Sequence, residues 1–375
     1  MRRWPPGRLW PGPDINPMRF LFRADASLAI GTGHVMRCAT LAIHLVEAGH
    51  DVRFLCRETP GNLNNWLKGQ GVAVTRLAEL KDAETEASDA VATKTAIGSA
   101  HFDWLVVDHY SLGVRWERAV ADRADRILAI DDLGREHDCD LLLDQNYRNP
   151  VHANYRGLAS AGRTLLLGPE FALVRPDFAK LRPRSLARQR EALSRVIVFM
   201  GGSDPHNETT KALGGIALAN LTHLAIDVVI GSSNPHRPAV EAACAQLARA
   251  ELHVQTPRMA DLMAAADCAI GAGGSATWER CVLGLPALVT ILADNQIGVA
   301  EGVDAAGGHQ LLGRHEVLTA EDYAMALVAL DGKKLSQMSL VAADICDGQG
   351  TERVVASLSK LSTGTTTFSG KSHGR

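Results

Sequence analysis

Arg23-Ala-Asp-Ala-Ser-Leu-Ala-Ile-Gly-Thr-Gly-His-Val-Met-Arg-Cys38 decides how the rest of the chain is read. The stretch leaves an apolar run at 18–22 that reads as a first strand, passes through a Gly-x-Gly turn, and enters a helical pattern over 35–48. Strand, tight glycine turn and helix N-terminus together set backbone N–H groups and a polar side chain, His34, at the edge of a sheet where open α/β folds build their sites. A structural glycine turn with a surface histidine is the plainer reading. Against it stands the density of polar side chains, since Arg23, Asp25, Ser27, Thr32, His34 and Arg37 all fall in one connection.

Outward from this unit the same grammar repeats. Segments 51–56, 73–77, 104–108 and 126–130 read as strands, and 62–70, 83–100 and 115–123 as helices; 139–146 is a short strand with polar groups at its end. Strand-like 195–200, 227–231, 253–255, 268–271 and 284–290 then alternate with helical 207–218, 238–250 and 259–266. Such alternation means βαβ units and parallel sheets, and its restart implies a second domain. A chain of 375 residues also exceeds the usual single core. The expected fold class is α/β, two doubly wound Rossmann-like domains facing a cleft. The first would run over 18–185 and the second over 186–345, followed by a terminal helix at 346–361. Between Arg175 and Arg195, seven Lys or Arg stand against two acids, which suits an interdomain connection with a solvated helix; a surface receiving phosphate is the alternative.

Composition narrows the function. A net charge of -3 and a pI near 6.5 give no basic balance for nucleic acid or an anionic membrane, so any phosphate binding must be local. Seven cysteines, an odd number with no C-x-x-C pair, suit reduced thiols in a cytoplasm rather than a disulfide framework or a zinc site. No apolar run approaches the ~18 residues of a membrane span. Residues 1–17 lack the apolar core of a signal peptide and read as a disordered or mis-assigned extension ahead of Met18, while Ser/Thr/Gly-rich 362–375 reads as a disordered tail. The sequence does not give the oligomeric state; a monomer is the favoured expectation.

A second glycine loop lies in Ala269-Ile-Gly-Ala-Gly-Gly-Ser-Ala-Thr-Trp-Glu-Arg280. Gly273, Gly274 and Ser275 leave N–H groups open at a helix start, a position suited to a diphosphate. Glu279, one turn on, would accept ribose hydroxyls or simply complement the helix dipole; spacing does not choose. With neither G-x-G-x-x-G nor G-K-[ST] present, dinucleotide and P-loop chemistry lose ground. Asn295 and Gln296 offer amides to a sugar or phosphates, and Gly201-Gly202-Ser203 with Asn207 forms another N–H-rich loop. Asp108, ahead of His109 and Tyr110 at a strand's carboxyl end, is either a site residue or a helix cap.

These residues carry a resemblance. RADAS at 23–27 with IGTGHVMRC at 30–38, VVDHY at 106–110, IDDLGR at 130–135 with HDCDLLLDQN at 137–146, GPEFALVRPDF at 168–178, MGGSDPHNETTKAL at 200–213, GAGGSATWERCVLGLPALV at 271–289 and NQ at 295–296 are similar to the nucleotide-sugar hydrolases of pseudaminic acid biosynthesis. Those enzymes act on UDP-2,4-diacetamido-2,4,6-trideoxy-β-L-altropyranose and are relatives of GT-B glycosyltransferases. The resemblance spans 18–361. It implies hydrolysis without metal or cofactor, releasing UDP and the free sugar with inversion at the anomeric carbon. His34 would be the general base on a water attacking C1, its ring oriented by Asp25 or Asp108. Arg23, Asp25, Gly33, Asp108, Tyr110, Asn295 and Gln296 would meet the substrate; Gly202, Ser203, Gly273, Gly274, Ser275 and Glu279 would hold the nucleotide. Two other readings are a GT-B glycosyltransferase using a UDP-sugar donor and a non-catalytic nucleotide-sugar sensor.

Overall fold

The computed structural model describes residues 16–28, 30–78, 85–147 and 150–363, so most of the leading segment 1–17 and of the tail 362–375 lies outside the described residues. Two parallel sheets organise them. The first contains β1 (Arg19–Ala24), β2 (Asp51–Arg57), β3 (Ala73–Leu77), β4 (Phe102–Asp108), β5 (Ala124–Ile130), β6 (Leu141–Asp144) and β7 (Thr164–Leu167) in the order β3-β2-β1-β4-β5-β6-β7. The second contains β8 (Arg195–Phe199), β9 (Ala225–Ile230), β10 (Ala250–Val254), β11 (Cys268–Ala272), β12 (Ala287–Ile291) and β13 (Gln310–Arg314) in the order β10-β9-β8-β11-β12-β13. Every ladder is parallel.

The apolar runs become central strands because helices cover both faces of each sheet. Side chains alternate across β1: Phe20 and Phe22 pack with Val35, Leu41 and Leu45 of helix Gly33–Glu47. Leu21 packs on the opposite face with Trp116 and Val120 of helix Val114–Val120. In both sheets the chain runs outward from the first strand and then returns across it, which leaves a crevice at the carboxyl ends of two neighbouring strands. Those neighbours are β1 and β4 in the first domain, where Ala24 lies opposite Asp108, and β8 and β11 in the second, where Phe199 lies opposite Gly271.

Helix Pro176–Leu186 is not the solvated link expected from its basic composition. Phe178 and Ser185 are buried. Arg182 donates to the carbonyls of Val282 (2.7 Å), Ala343 (2.7 Å) and Cys346 (3.0 Å). These carbonyls close helices Ala276–Val282 and Gly332–Ile345, whose last turns carry unsatisfied acceptors that a guanidinium can serve. The final helix, Gly350–Thr363, returns to the first domain, where Val354 and Leu358 join the core beneath helix Gly33–Glu47. Trp104 Nε1 donates to Ser362 Oγ (2.9 Å) at the end of this crossing. β7 and β13 have no counterpart in the strands expected from sequence. Among the described residues, no helix is long and apolar enough to cross a membrane.

Candidate active site in the cleft

A cleft of about 280 Å³ opens where the two crevices face each other. The first domain lines it with residues 30–34, Arg37, Tyr110, Asp132, Gln145 and Asn146; the second lines it with residues 201–203, 272–276, Trp278, Asn295 and Gln296. The walls approach closely at glycines. A Cβ on Gly33 would stand 3.9 Å from Ser275 Oγ, and one on Gly202 would stand 3.6 Å from Thr32 Oγ1.

His34, Arg37 and Cys38 follow i, i+3, i+4 spacing on helix Gly33–Glu47, so all three side chains fall on the face toward β4. They converge on Asp108. His34 Nδ1 lies 2.6 Å from Asp108 Oδ1. Arg37 grips both carboxylate oxygens, Nε to Oδ2 at 2.6 Å and Nη2 to Oδ1 at 2.7 Å, in the bidentate geometry that favours planar recognition. The Cys38 thiol donates to Oδ2 at 3.5 Å. Burial alone would raise the pKa of Asp108, but the Arg37 charge, with the hydrogen bonds from Arg37 and His34, outweighs it and holds the carboxyl well below the usual range. An ionised Asp108 accepts the Nδ1 hydrogen and leaves the lone pair on Nε2. Among the described residues Nε2 takes no hydrogen bond.

Tyr110 closes one side of this group. Its ring meets His34 edge-on, with centroids 4.4 Å apart. Its hydroxyl receives a hydrogen bond from Asn295 Nδ2 across the cleft (2.7 Å) and lies 3.4 Å from Asp132 Oδ2. Burial and the Asp132 charge raise the Tyr110 pKa, so the hydroxyl stays protonated. Arg37 Nη1 reaches the same Asp132 oxygen at 3.3 Å.

The opposite wall is backbone. Gly273 spends its N–H on the Thr290 carbonyl (3.1 Å), and the N–H groups without a partner among the described residues are those of Gly274, Ser275 and Ala276, one residue beyond the expected set. Gly273 lets the loop pack tightly, because a Cβ there would stand 3.1 Å from Ala300 Cβ and would push on helix Ile297–Ala306. Gln296 Oε1 accepts from Leu292 N (3.0 Å), which turns the Gln296 NH2 toward Gly274. Gly202 and Ser203 line the cleft beside this loop. Asn207 does not join them: its N–H goes to Asp204 O and its Oδ1 accepts from Thr210, so it serves its own helix.

Four further expected residues lie outside the lining: Arg23, Asp25, Asp108 and Glu279; Asp108 is fully buried and reaches the cleft through His34 rather than by meeting a substrate itself. Arg23 is fully buried, with Nε and Nη2 on Asp89 (3.1 and 2.6 Å) and Nη1 2.8 Å from Asp25 Oδ1. Asp25 also accepts the Arg57 N–H (2.7 Å), and Arg57 bonds Asp89, so these charges knit β1, β2 and helix Glu86–Ile97 together. The orientation of His34 therefore falls to Asp108. Glu279 sits 3.8 Å from Arg175, and burial raises its pKa. Sequence reasoning assigned no site role to Arg37, Asp132, Gln145, Asn146 or Trp278. The available signals were the i+3 spacing from His34 and the polar residues that follow β5 and β6.

No protein-family model matches the chain. It is 26% identical over 220 residues to the UDP-2,4-diacetamido-2,4,6-trideoxy-beta-L-altropyranose hydrolase of Campylobacter jejuni, covering 58% of this chain and 72% of that protein. It is 28% identical over 197 residues to the spore coat polysaccharide biosynthesis protein SpsG of Bacillus subtilis, covering 52% of this chain and 58% of that one. Among solved structures, MurG of Acinetobacter baumannii matches with a TM-score of 0.66 at 15% identity, over 91% of this chain and 99% of that one. The structural likeness is one of fold: the chain has the GT-B arrangement of two Rossmann-like domains about a cleft. The sequence likeness agrees with the resemblance carried by the motifs.

Proposed function

We propose that the protein hydrolyses a UDP-linked 2,4-diacetamido-2,4,6-trideoxy sugar, releasing UDP and the free sugar with inversion at the anomeric carbon. The observation that carries this reading is the pairing across one cleft of His34, held by an ionised Asp108, with the open N–H groups of residues 274–276. The similarity to a hydrolase of this substrate supports the sugar class and the choice of water over another acceptor.

In the proposed reaction the diphosphate lies against Gly274, Ser275 and Ala276, and C1 of the sugar lies between that loop and His34. The oxygen of a water attacks C1 while Nε2 takes its proton. The bond from C1 to the β-phosphate oxygen breaks, and its electron pair leaves with UDP. The three N–H groups spread the charge that develops on the leaving phosphate. General-base help of this kind contributes about 10²- to 10⁴-fold. One displacement by water, from the face opposite UDP, inverts the anomeric carbon.

The test is incubation of the purified protein with the nucleotide sugar and no acceptor. Stoichiometric release of UDP and free sugar is expected; absence of release rejects hydrolysis in favour of transfer or sensing.

A further inference from the structure

Strand β6 ends at Asp144, where the chain turns on a hydrogen bond from Asn146 N–H to Asp144 Oδ1 (2.9 Å). The turn sets two primary amides into the first-domain wall of the cleft, Gln145 at 3% exposure and Asn146 at 6%. Gln145 Oε1 is engaged by the Leu173 N–H (3.1 Å), and its NH2 takes no hydrogen bond among the described residues. The Asn146 carboxamide takes no hydrogen bond among the described residues. Lining the cleft with its donors and its acceptor unspent, it can complete its hydrogen bonding with a bound ligand.

We propose that Asn146 and Gln145 form the subsite that reads an N-acyl group on the sugar, an inference that rests on the function proposed above. The placement follows from that reading. With the diphosphate on residues 274–276 and C1 near His34, the ring substituents point to the first-domain wall. The two side chains are uncharged and together present NH2 donors and one free acceptor, Asn146 Oδ1. A secondary amide is complementary to that set: being trans, it offers its carbonyl on one edge to the Gln145 NH2 and its N–H on the opposite edge to Asn146 Oδ1. A hydroxyl leaves part of the set unmatched. A free ammonium meets donors where it needs acceptors, and a carboxylate or phosphate faces Asn146 Oδ1. The charged groups of the same wall are committed elsewhere, Arg37 to Asp108 and Asp132 to Arg37 and Tyr110.

Sites built to hydrogen-bond a substrate group discriminate strongly against analogues that lack it, because their own buried polar groups are then left unpaired. The experiment compares kcat/KM for the UDP-2,4-diacetamido sugar with that for its mono-deacetylated amino analogues, in wild type, Asn146→Ala and Asn146→Ser. Inhibition by UDP is measured alongside. The wild type is expected to prefer the diacetamido substrate by at least ~10²-fold over one of the analogues. Both variants are expected to lose at least ~10-fold of that preference, mainly through KM, with UDP inhibition unchanged. Equal turnover of all substrates by the wild type, or full retention of the preference by a folded variant, overturns the subsite and leaves the hydrolase reading standing. No turnover of any substrate by the wild type overturns that reading and the subsite with it.

Discussion

At His34 the chemistry turns on which atom of the ring carries the hydrogen. Asp108 settles this by taking Nδ1, and Arg37 keeps Asp108 ionised while leaving Oδ1 in reach of the imidazole. Asp108→Asn tests the arrangement, because an amide can donate to Nδ1 and so places the hydrogen on Nε2, where it blocks general-base action. Turnover is expected to fall about 10²- to 10⁴-fold with UDP affinity by calorimetry unchanged. An unchanged kcat in a folded variant would contradict the role. The histidine itself was legible in the sequence, since a Gly-x-Gly turn between strand and helix has a known direction. Its partner was not: Asp25 and Asp108 are equal on paper, and only the pairing of β1 with β4 brings a residue 74 positions away to the ring. The same pairing explains the errors. Arg23 and Asp25 have the residue types of a site, yet they face Asp89 and Arg57 behind the sheet edge.

At the scale of elements, the segment between β5 and β6 supports the site from behind. Asp131 accepts from Arg135 Nε (2.7 Å) and Tyr155 OH (2.8 Å), and Arg135 Nη1 donates to the carbonyls of Tyr110 (2.7 Å) and Leu112 (3.1 Å). His137 joins the cluster with Nδ1 2.6 Å from Glu117 Oε1 and Nε2 3.5 Å from Asp131 Oδ2. Burial lowers the His137 pKa, but the two acids win and lift it to about 9. A folded pKa above the unfolded value of about 6.5 means stabilisation that is complete below pH ~6.5 and lost as pH rises through about 9. Melting curves across that window should show this loss, on the order of 1–3 kcal/mol, and His137→Asn should flatten the slope. An identical slope in the variant would refute it. The doubly buried strands were readable because burial on both faces demands continuous apolar runs. β7, four residues long, carries too little pattern. Helix Pro176–Leu186 was misread because composition counts arginines but does not show the helix-end carbonyls that bind them.

For the whole molecule, the repeated strand-and-helix grammar was enough to expect two doubly wound domains and a cleft between them. The contacts that close the cleft were not readable, because each joins distant parts of the chain: Tyr110 to Asn295, Gly33 against Ser275, and the last helix returning to the first core. These contacts bring a base on one domain and phosphate-binding N–H groups on the other to a single substrate, so the central claim concerns which bond of that substrate breaks. The direct measurement is acceptor-free turnover of the UDP-2,4-diacetamido sugar in ¹⁸O-labelled water, with both products read by mass spectrometry. Water attack at C1 puts the label in the free sugar and none in UDP. Label in UDP would mean attack at phosphorus and would contradict the assignment of His34 as the base acting at the anomeric carbon.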